Sequence, residues 1–470
     1  MKRTKIICTV GPACADKATL KAMIEAGMNV ARFNFSHGDH AYHKQLMDLV
    51  KEVRTEMRQP IAIMLDTKGP EYRIRTFAEG KVMLEDGQRF SLTVEEVEGD
   101  QGRVSVSYKN MVKELAIGDT VLINNGLVRL EVEELTETDA VCRVIHGGEL
   151  SNRKSMSFPN KVLKQTYLSE QDKKDLLFGI ENDVDLIACS FVSTDRDVMD
   201  VRHFLEENGG RDIDLIAKIE NRSGVDNIDA IIKASDGIMV ARGDMGVEIP
   251  FEELPAIQKK LIRTCRLKGK RVITATEMLE SMVEKPRPTR AEISDVANAV
   301  YDGTSALMLS GETAAGKYPV ESVKTMSLIA KSAEDNIHYA KRFLSRDFKI
   351  KNTLDAISHA TCGMAIDIDA VSIVVCSLSG KTARMVSRFR PPMDIIGLTT
   401  VEKKWRKLSL SWGVLPVMCE NYNSTDVMFY TATQKAKEVL DLRKGERIVL
   451  TGGVTNGKSG NTDLIKVESI

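Results

Sequence analysis

The stretch Leu215–Glu220 reads Leu-Ile-Ala-Lys-Ile-Glu, an apolar run that ends on charged residues. Near-continuous hydrophobicity over such a short run is typical of a parallel strand that is covered on both faces. Amphipathic stretches with helical spacing separate most of the similar runs along the chain. The eight runs are Lys5–Val10, Asn29–Phe35, Ala62–Asp66, Leu186–Phe191, Leu215–Glu220, Gly237–Ala241, Arg271–Thr276 and Ala306–Ser310. Strands that alternate with helices in this number predict an α/β protein built on a (β/α)8 TIM barrel.

The alternation is interrupted once, after the third run. Between residues 71 and 168, short segments of period two are separated by turn signals such as Asn124-Asn125-Gly126, which is typical of an all-β unit. We therefore expect a small β-barrel lid domain inserted at a βα junction, on the face where barrel active sites lie. A domain attached there can close over the site.

The pattern of predicted strands and helices changes again near residue 346. Strand-like runs alternate with helical stretches as far as the chain end, which predicts a C-terminal α/β domain with an open sheet. The predicted division is residues 1–70 and 169–345 for the catalytic barrel, 71–168 for the lid and 346–470 for the C-terminal domain.

The overall composition excludes several classes of protein. The 470 residues include 66 basic and 67 acidic ones, a balance that gives no reason to expect nucleic acid or a membrane surface as the main partner. No apolar run is long enough to span a bilayer, and the first apolar run ends too early for a secretory signal. The eight cysteines form no Cys-x-x-Cys pair, which indicates free thiols and a cytoplasmic location.

Polar residues crowd the carboxyl ends of six predicted strands, where a barrel enzyme carries its active site. They are Arg32, Asn34, Ser36 and His37 on the second strand, Asp66, Thr67 and Lys68 on the third, Lys218 and Glu220 on the fifth, Arg242, Gly243 and Asp244 on the sixth, Thr276 and Glu277 on the seventh, and Ser310 and Glu312 on the eighth.

The residue types indicate phosphoryl-transfer chemistry. Glu220 and Asp244 are carboxylates on neighbouring strands, and Mg²⁺ is usually held by one or two carboxylates with substrate and water. Lys218 lies two residues before Glu220, so both side chains point to the same side of the strand, and a lysine beside a divalent metal stabilises a transferring phosphoryl group. The alternative, an ion pair on a solvated face, is disfavoured because the flanking residues are apolar.

Other residues at this rim are candidates for binding anions and a monovalent cation. Arg32 and Arg73 can hold phosphate oxygens, and Gly243 and Asp244 can offer backbone N–H groups to an anion. An ordinary surface position is the alternative for Arg32. The oxygen-rich set suits either a weakly held monovalent cation or helix caps and turns; it consists of Asn34, Ser36, Asp66 and Thr67.

Two loops of the C-terminal domain resemble phosphate-binding loops. Gly452–Ser459 matches the P-loop pattern G-x-x-x-x-G-K-[ST], but a strand and not a helix is predicted to follow, so we reject an ATPase site there. The loop of Ser377, Ser379, Gly380, Lys381 and Thr382 joins a strand to a helix and suits either a bound phosphate or a simple helix cap. Together the two loops suggest an effector site for a phosphorylated metabolite, with Lys458 as a further candidate.

Several long motifs resemble those of the pyruvate kinase family. Ile213–Val225 is similar to the family's active-site signature, and the resemblance covers the whole chain in order. The other family-like segments are Arg32–Gly38, Leu65–Glu71, Met239–Glu248 and Arg287–Glu292.

The resemblance implies that phosphoenolpyruvate and ADP give pyruvate and ATP, with Mg²⁺ and K⁺ as cofactors. It also implies a homotetramer that a sugar phosphate or AMP activates through the C-terminal domain. The implied roles are Lys218 for the phosphoryl group and enolate, Glu220 and Asp244 for Mg²⁺, Asn34, Ser36, Asp66 and Thr67 for K⁺, Arg32 and Arg73 for phosphates, Thr276 and Ser310 for protonation, and Pro12, Asn34, His37, Arg73 and Lys154 for the nucleotide. Glu71 is the residue type of K⁺-dependent members.

The sequence also departs from the family pattern. Glu277 stands where many members have Gln, the lid turn carries Asn124-Asn125 in place of two aspartates, and Ser155–Asn160 replaces a glycine-containing hinge. The last loop offers Lys458 where some members use an arginine. Two other hypotheses are a Schiff-base lyase that uses Lys218 as nucleophile and a catalytically inactive regulator that binds a phosphorylated metabolite.

Overall fold

The computed structural model describes residues 2–159, 161, 166–344, 348–422, 424–453 and 462–470. All eight predicted strands form one closed parallel barrel in chain order, with the first strand paired to the second and the eighth. The TIM-barrel prediction is therefore confirmed. The strands are Lys5–Thr9, Val30–Asn34, Ala62–Asp66, Leu186–Cys189, Asp214–Ile219, Gly237–Ala241, Arg271–Ala275 and Ala306–Leu309.

Side chains alternate between the barrel interior and the helix layer, as the period of a strand requires. In the fifth strand, Leu215, Ala217 and Ile219 pack against the helices, whereas Ile216 belongs to the apolar cluster inside the barrel. Lys218 follows Ile216 by two residues and therefore reaches the carboxyl end of the interior.

The barrel helices begin at residues that satisfy their free N–H groups. Asp16 and Asp39 accept hydrogen bonds from Thr19 and Tyr42, as N-caps do. The helices are Lys17–Ala26, His40–Met57, Glu170–Glu181, Asp195–Glu207, Arg222–Asp226, Ile228–Ala234, Arg242–Glu248, Leu254–Lys268, Arg290–Asp302, Gly311–Ala314, Pro319–Asp335 and Tyr339–Phe343, with 3₁₀ turns at Pro12–Cys14, Phe251–Glu253 and Glu280–Val283. No helix in the described part of the chain has both the length and the apolar character of a membrane span.

The inserted segment is all-β apart from one short helix, as predicted, and has its own hydrophobic core. Seven of its strands form one sheet and two form a separate pair. Four of its strands were missed in the sequence, at Tyr72–Arg73, Arg89–Thr93, Gly148–Ser151 and Ser155–Ser157. The remaining elements are strands Lys81–Leu84, Arg103–Ser105, Thr120–Ile123, Val128–Leu135 and Asp139–His146, and helix Met111–Glu114.

The C-terminal segment forms a five-stranded open sheet, and only its last strand is antiparallel among the described residues. This confirms the predicted α/β unit. Its strands are Ser372–Cys376, Asp394–Thr399, Val414–Met418, Arg447–Gly453 and Thr462–Ser469, and its helices are Thr353–Asp367, Lys381–Ser387, Glu402–Leu408 and Thr425–Val439.

The C-terminal unit covers the amino-terminal base of the barrel. Leu410 joins the apolar cluster inside the barrel, and Lys5 donates a 2.7 Å hydrogen bond to the carbonyl of Val414. Arg406 contacts Asp185 at 2.8 Å, with both side chains buried. The base is thus sealed by packing and ion pairs, which leaves the carboxyl-terminal rim for chemistry.

Candidate active site

Lys218 lies at the centre of a buried charge network at the barrel rim. Its Nζ is 3.1 Å from Asp66 Oδ1 and 3.0 Å from Glu220 Oε1, and it donates a 2.6 Å hydrogen bond to Ser190 Oγ. These three partners come from the third, fifth and fourth strands or the residues just after them. The geometry agrees with the expectation that Lys218 and Glu220 point to the same side.

The network holds Lys218 in its charged form. Burial disfavours the ammonium, but the neighbouring carboxylates of Asp66 and Glu220 outweigh it and raise the pKa of Lys218. Burial likewise opposes ionisation of Asp66, yet the charges of Arg32 and Lys218 hold the pKa of this carboxyl below its usual range. The rim therefore presents a fixed positive charge between carboxylates.

Glu220 is fully buried, and burial, together with the charge of Asp244, raises its pKa to about 7 despite the charge of Lys218. One of its oxygens accepts a hydrogen bond from the N–H of Phe191, while Oε1 lies 3.0 Å from the ammonium of Lys218. A buried carboxylate is costly unless cations compensate its charge. Asp244 is exposed in the first turn of helix Arg242–Glu248.

The donor set of these two carboxylates fits Mg²⁺ with substrate and water completing its shell. Among the described residues, no group of three or more His, Cys, Asp or Glu side chains is placed to hold a metal. A cage made only of protein ligands, as structural zinc sites use, is thus absent from that part of the chain.

Arg32 is buried and held in place by two partners. Its Nε donates to Asp66 Oδ2 at 2.6 Å, and its Nη1 donates to Thr9 Oγ1 at 2.8 Å. Because Arg32 is buried and ion-paired, the alternative of an ordinary surface arginine is wrong.

The predicted oxygen-rich cluster is partly assembled. Asn34 and Asp66 are register partners on the second and third strands, and Thr67 is buried beside them. Asn34 Oδ1 accepts the N–H of Ser36 at 3.1 Å, while Ser36 itself is exposed. Asn34 therefore makes a turn contact, as expected if these residues serve as caps and turns. The hydroxyl and carbonyl oxygens of the set are still of the kind that a monovalent cation binds.

Thr276 has a left-handed backbone with φ of 68°, which is strained for a β-branched residue. Its Oγ1 accepts the N–H of Gly243 at 2.8 Å. The sequence predicted that this N–H donates a hydrogen bond to a bound anion, but in the structure it donates to Thr276. Ser310 directly follows the eighth strand, and its N–H donates to Glu312 at 2.7 Å.

A cavity of about 380 Å³ lies between the barrel rim and the lid hinge. Asp244, Arg73 and Lys154 line it, as does Asn221, which directly follows Glu220. Arg73 pairs with Glu71 and donates a 2.6 Å hydrogen bond to the carbonyl of Arg153. The cavity thus joins Asp244, a candidate metal ligand, to the hinge residues Arg73 and Lys154 that the sequence predicted for phosphate and nucleotide.

Pro12 and His37 are exposed residues just beyond the first and second strands. The carbonyl of His37 lies 2.7 Å from Nε2 of His43, which is buried. Both residues therefore stand on the rim, although neither lines the cavity.

Glu248 joins the lid to helix Arg242–Glu248, which carries Asp244. Its carboxyl accepts hydrogen bonds from the Ser157 hydroxyl and the Phe158 N–H, and burial raises its pKa to about 7. The lid turn lies near the same helix, because a methyl group at Gly126 would be 3.7 Å from Val247. Asn124, Asn125 and Gly126 all have positive φ, a conformation that asparagine and glycine tolerate best.

Sequence reasoning missed three residues of this site. Ser190 bonds Lys218 and also the carbonyl of Thr67 at 2.6 Å, Phe191 has φ of 55° and directs its N–H at Glu220, and Glu248 ties the hinge. Ser190 carried a signal, since it follows the interior residue Ala188 by two positions. The roles of Phe191 and Glu248 depend on contacts between distant segments.

Comparison with known proteins identifies the family. The model for the pyruvate kinase barrel domain matches residues 1–323, and that for the pyruvate kinase alpha/beta domain matches residues 355–468. The chain belongs to the pyruvate kinase family. Pyruvate kinase of Clostridium acetobutylicum is 47% identical, with 100% of both chains covered. That of Bacillus licheniformis is 46% identical over 99% of this chain and 80% of its own.

A solved structure supports the same family assignment. The crystal structure of a pyruvate kinase from Cryptosporidium parvum superposes with a TM-score of 0.95 at 36% identity, covering 100% of this chain and 96% of that one. Family membership makes the protein a phosphotransferase, as predicted. A regulator without catalytic activity is therefore excluded.

The raised pKa of Lys218 also argues against the Schiff-base lyase. A nucleophilic lysine must be neutral, which requires a lowered pKa. In this pyruvate kinase relative, Lys218 is instead kept charged by two carboxylates.

In the predicted effector loop, Thr382 is buried and its hydroxyl lies 2.6 Å from that of Thr462. Ser379 Oγ accepts the N–H of Lys381 at 3.4 Å, and Gly380 has φ of 72° against the side chain of Leu408. Ser377 begins the loop after strand Ser372–Cys376. Lys458 and most of the P-loop-like segment lie outside the described residues; strand Thr462–Ser469 follows that segment, in agreement with the rejected ATPase site.

Proposed function

We propose that the enzyme transfers the phosphoryl group of phosphoenolpyruvate to ADP, which gives pyruvate and ATP. The observation that carries this proposal is the buried Lys218 ammonium, fixed 3.1 Å and 3.0 Å from the carboxylates of Asp66 and Glu220 at the barrel rim. A fixed cation at this place stabilises the charge that develops on the phosphoryl oxygens and the enolate.

Glu220 and Asp244 would hold Mg²⁺. The buried carboxylate of Glu220 and the exposed carboxylate of Asp244, which follow neighbouring strands, support this role. When bound, Mg²⁺ neutralises phosphoryl and enolate oxygens. Lys218 and Arg32 would bind and orient the phosphoryl group, because Asp66 holds both of them in place.

The P–O bond to the enolate oxygen breaks as a bond to the terminal ADP oxygen forms. The enolate then takes a proton at carbon, and Thr276 and Ser310 are the residues we assign to the proton route. The left-handed backbone of Thr276 and the hydrogen bond from Gly243 fix its hydroxyl at the rim, which supports a positioned role.

We assign K⁺ to Asn34, Ser36, Asp66 and Thr67, whose neutral oxygens and single carboxylate suit a weakly held monovalent ion. The register pairing of Asn34 with Asp66 supports this assignment. The nucleotide is assigned to Pro12, Asn34, His37, Arg73 and Lys154, and the hinge cavity beside Arg73 and Lys154 supports that assignment.

A phosphorylated metabolite, either a sugar phosphate or AMP, is proposed to activate the enzyme through the loop of Ser377, Ser379, Gly380, Lys381 and Thr382, with Lys458. We also retain the proposed domain division at residues 70, 168 and 345, a homotetrameric assembly and a cytoplasmic location. Free thiols at all eight cysteines support a reducing compartment.

Pyruvate formation from phosphoenolpyruvate, ADP and Mg²⁺ tests the proposal. The assay is run with and without K⁺, with a chelator, and across a panel of sugar phosphates and AMP. We expect activity that requires Mg²⁺ and is raised by K⁺ and by one of the effectors. Inactivity with Mg²⁺, K⁺ and every effector present would overturn the assigned reaction, while a lack of response to K⁺ or to every effector would overturn only that assignment.

A further inference from the structure

Arg242 stands at the carboxyl end of the sixth barrel strand, beside the end of the seventh. It directly follows Ala241, the register partner of Ala275, and it begins the helix that carries Asp244. Only 15% of its side chain is exposed. Arg242 thus lies between a candidate metal ligand and Thr276, and the proposed reaction uses both of these residues but not Arg242.

The Arg242 guanidinium holds three consecutive backbone carbonyls. Its Nη2 donates to the carbonyls of Thr276 at 2.6 Å and Glu277 at 3.0 Å. Its Nε donates to those of Ala275 at 3.3 Å and Thr276 at 3.2 Å. A guanidinium presents five donors in one rigid plane, so a single side chain fixes the directions of three peptide groups. A lysine ammonium is a point charge on a flexible stem and cannot replace this fork.

The peptide groups that Arg242 holds belong to a strained turn. Thr276 and Glu277 have φ of 68° and 52°, so two successive residues other than glycine are left-handed. This conformation is unfavourable for residues with a Cβ, above all for β-branched threonine, and it persists only where the surrounding structure imposes it. The hydrogen bonds from Arg242 to the turn are contacts that impose it.

The conformation of the turn fixes the Thr276 hydroxyl. Its Oγ1 donates to the carbonyl of Ala275 at 2.6 Å and accepts the N–H of Gly243 at 2.8 Å. The carbonyl of Ala275 also accepts the hydrogen bond from Arg242 Nε. The hydroxyl and the guanidinium are therefore bound to one peptide group, so a change at Arg242 displaces the hydroxyl.

A carboxylate holds Arg242 from a neighbouring helix. Arg242 Nη1 donates to Asp295 Oδ2 at 2.6 Å, and Asp295 is a partly exposed residue of helix Arg290–Asp302. A charge-assisted hydrogen bond of this kind is directional, so it orients the guanidinium toward the turn. A continuous set of contacts therefore connects Asp295 through Arg242 to the Thr276 hydroxyl.

We propose that Arg242 is a positioning residue for protonation of the enolate. It holds residues 275–277 in the left-handed conformation that fixes the Thr276 hydroxyl, and it ties this hydroxyl to the helix of Asp244. The inference rests on the proposed reaction and on the place of Thr276 in its proton route. A displacement of about 1 Å can cost a reaction about a hundredfold in rate, so loss of Arg242 slows protonation more than it weakens substrate binding.

Exchange of the methyl protons of pyruvate isolates the protonation step. The full chain is incubated in D₂O with pyruvate, Mg²⁺, K⁺ and inorganic phosphate but no nucleotide, so no phosphoryl group is transferred. Pyruvate gives up a methyl proton to the solvent through the proton route, becomes the enolate and takes a deuteron at the same carbon. Proton NMR follows the loss of the methyl signal, and the pyruvate-formation assay supplies the KM values.

We expect Arg242→Met to lower the exchange rate about tenfold or more, because a misplaced proton donor loses much of its effect. KM for phosphoenolpyruvate and ADP should stay within about twofold of wild type, since uniform binding is not removed. Arg242→Lys keeps the charge but not the planar fork and should lose nearly as much. Asp295→Asn should lose about twofold to fivefold, as the loss of a partly exposed ion pair does.

Arg202→Met is the matched control, because Arg202 makes a similar set of contacts at the amino-terminal side of the barrel strands. Its side chain is 19% exposed, pairs with Asp236 at 2.7 Å and donates to the carbonyl of Ile213 at 3.2 Å. We expect this variant to exchange at the wild-type rate, whatever the change in its melting temperature.

Wild-type exchange by folded Arg242→Met and Arg242→Lys proteins would overturn the inference, as would an equal loss in Arg202→Met. Higher KM values with unchanged exchange would overturn it too, because Arg242 would then bind substrate. If neither Arg242 variant folds, wild-type exchange by Asp295→Asn overturns it.

The Thr276→Val variant separates this inference from the reaction on which it rests. If Thr276→Val exchanges at the wild-type rate, the assigned proton route is wrong and Arg242 does not act through it, although the overall reaction stands. A wild-type protein that forms no pyruvate from phosphoenolpyruvate and ADP would overturn the proposed reaction and this inference together. Normal turnover with undiminished exchange in Arg242→Met would overturn this inference alone.

Discussion

The two ends of the barrel carry buried charges of opposite balance. At the carboxyl-terminal rim, the cations Arg32 and Lys218 face Asp66 and Glu220, and the carboxylate of Asp244 stands nearby. At the base, Asp214 is the only carboxylate that lines a cavity with five cations. The rim therefore suits added cations, whereas the base carries an excess of positive charge, although one strand, Asp214–Ile219, serves both ends.

The ends also differ in what covers them. At the base, Leu410 packs into the barrel interior and ion pairs such as that of Arg406 with Asp185 join the two units. At the rim, the lid meets the barrel through the contacts of Glu248 and the turn near Val247. The base is therefore fixed by packing and buried ion pairs, whereas the rim has fewer fixed contacts, since it must open to admit two substrates.

The largest effect is expected at the rim, for Lys218→Met. Loss of the fixed ammonium should lower kcat by about 10²–10³-fold or more, because charge on the phosphoryl group and enolate is no longer stabilised. Steady-state kinetics measures this, with Lys233→Met on an exposed helix position as control. Lys218→Arg keeps the charge balance and separates a folding defect from a catalytic one. Wild-type turnover in a folded Lys218→Met protein would refute the assigned role.

The base is tested by Asp214→Asn, which leaves Arg271 and Lys407 without their counter-charge. Removing one member of a buried ion pair costs about 3–5 kcal/mol, so the melting temperature should fall. The pKa of Asp214 is held far below its usual value, chiefly by Arg271 and Lys407 against the effect of burial, so this stability is present at neutral pH and is lost as the pH falls into the acid range.

Asp212→Asn is the matched control, because Asp212 is two residues away and pairs with Lys404 while 75% of its side chain is exposed. An exposed pair of this kind contributes little. Equal melting temperatures for the two variants would show that the base does not depend on the carboxylate of Asp214.

A pH-dependent effect is expected at the lid hinge for Glu248→Gln. The folded protein holds a proton on Glu248 up to a pKa of about 7, whereas the unfolded chain loses it near the ordinary glutamate pKa of 4.5. Folding therefore binds protons between these values, and its stability falls as the pH rises through this window. The variant should show a flatter melting-temperature profile from acid to neutral pH, with Glu252→Gln as an exposed control. Identical profiles for the variant and wild type would contradict a raised pKa at Glu248.

The smallest effect is expected at the lid turn for Asn125→Ala. Asn125 has φ of 55°, and its Oδ1 accepts a 3.1 Å hydrogen bond from Ser155. Loss of that bond and of the tolerance for left-handed backbone should cost about 1 kcal/mol. Chemical denaturation measures it, with Asn110→Ala as control because Asn110 makes no side-chain cap bond. A cost as large as that of Asp214→Asn would reverse the contrast between the rim and the base.

Much of the site was readable from the sequence because strand ends in a parallel barrel meet at one rim. Lys218, Glu220, Arg32 and Asp66 stand at interior positions of period two, so their convergence follows once the eight strands are recognised. Asp244 is similarly placed by the end of the sixth strand. The lid strands were less readable, since Arg89–Thr93 and Gly148–Ser151 are short and only partly buried.

The sequence by itself determined the barrel, the insertion, the C-terminal unit and the list of rim residues, because these depend on local hydrophobic period and strand order. The contacts of Ser190 and Phe191 with Lys218 and Glu220, and that of Glu248 with the lid, became visible only in the folded chain. The same is true of Arg271, whose Nε and Nη1 have no hydrogen-bond acceptor among the described residues. The physical reason is that burial and charge balance are properties of segments far apart in the chain, so no local pattern can express them.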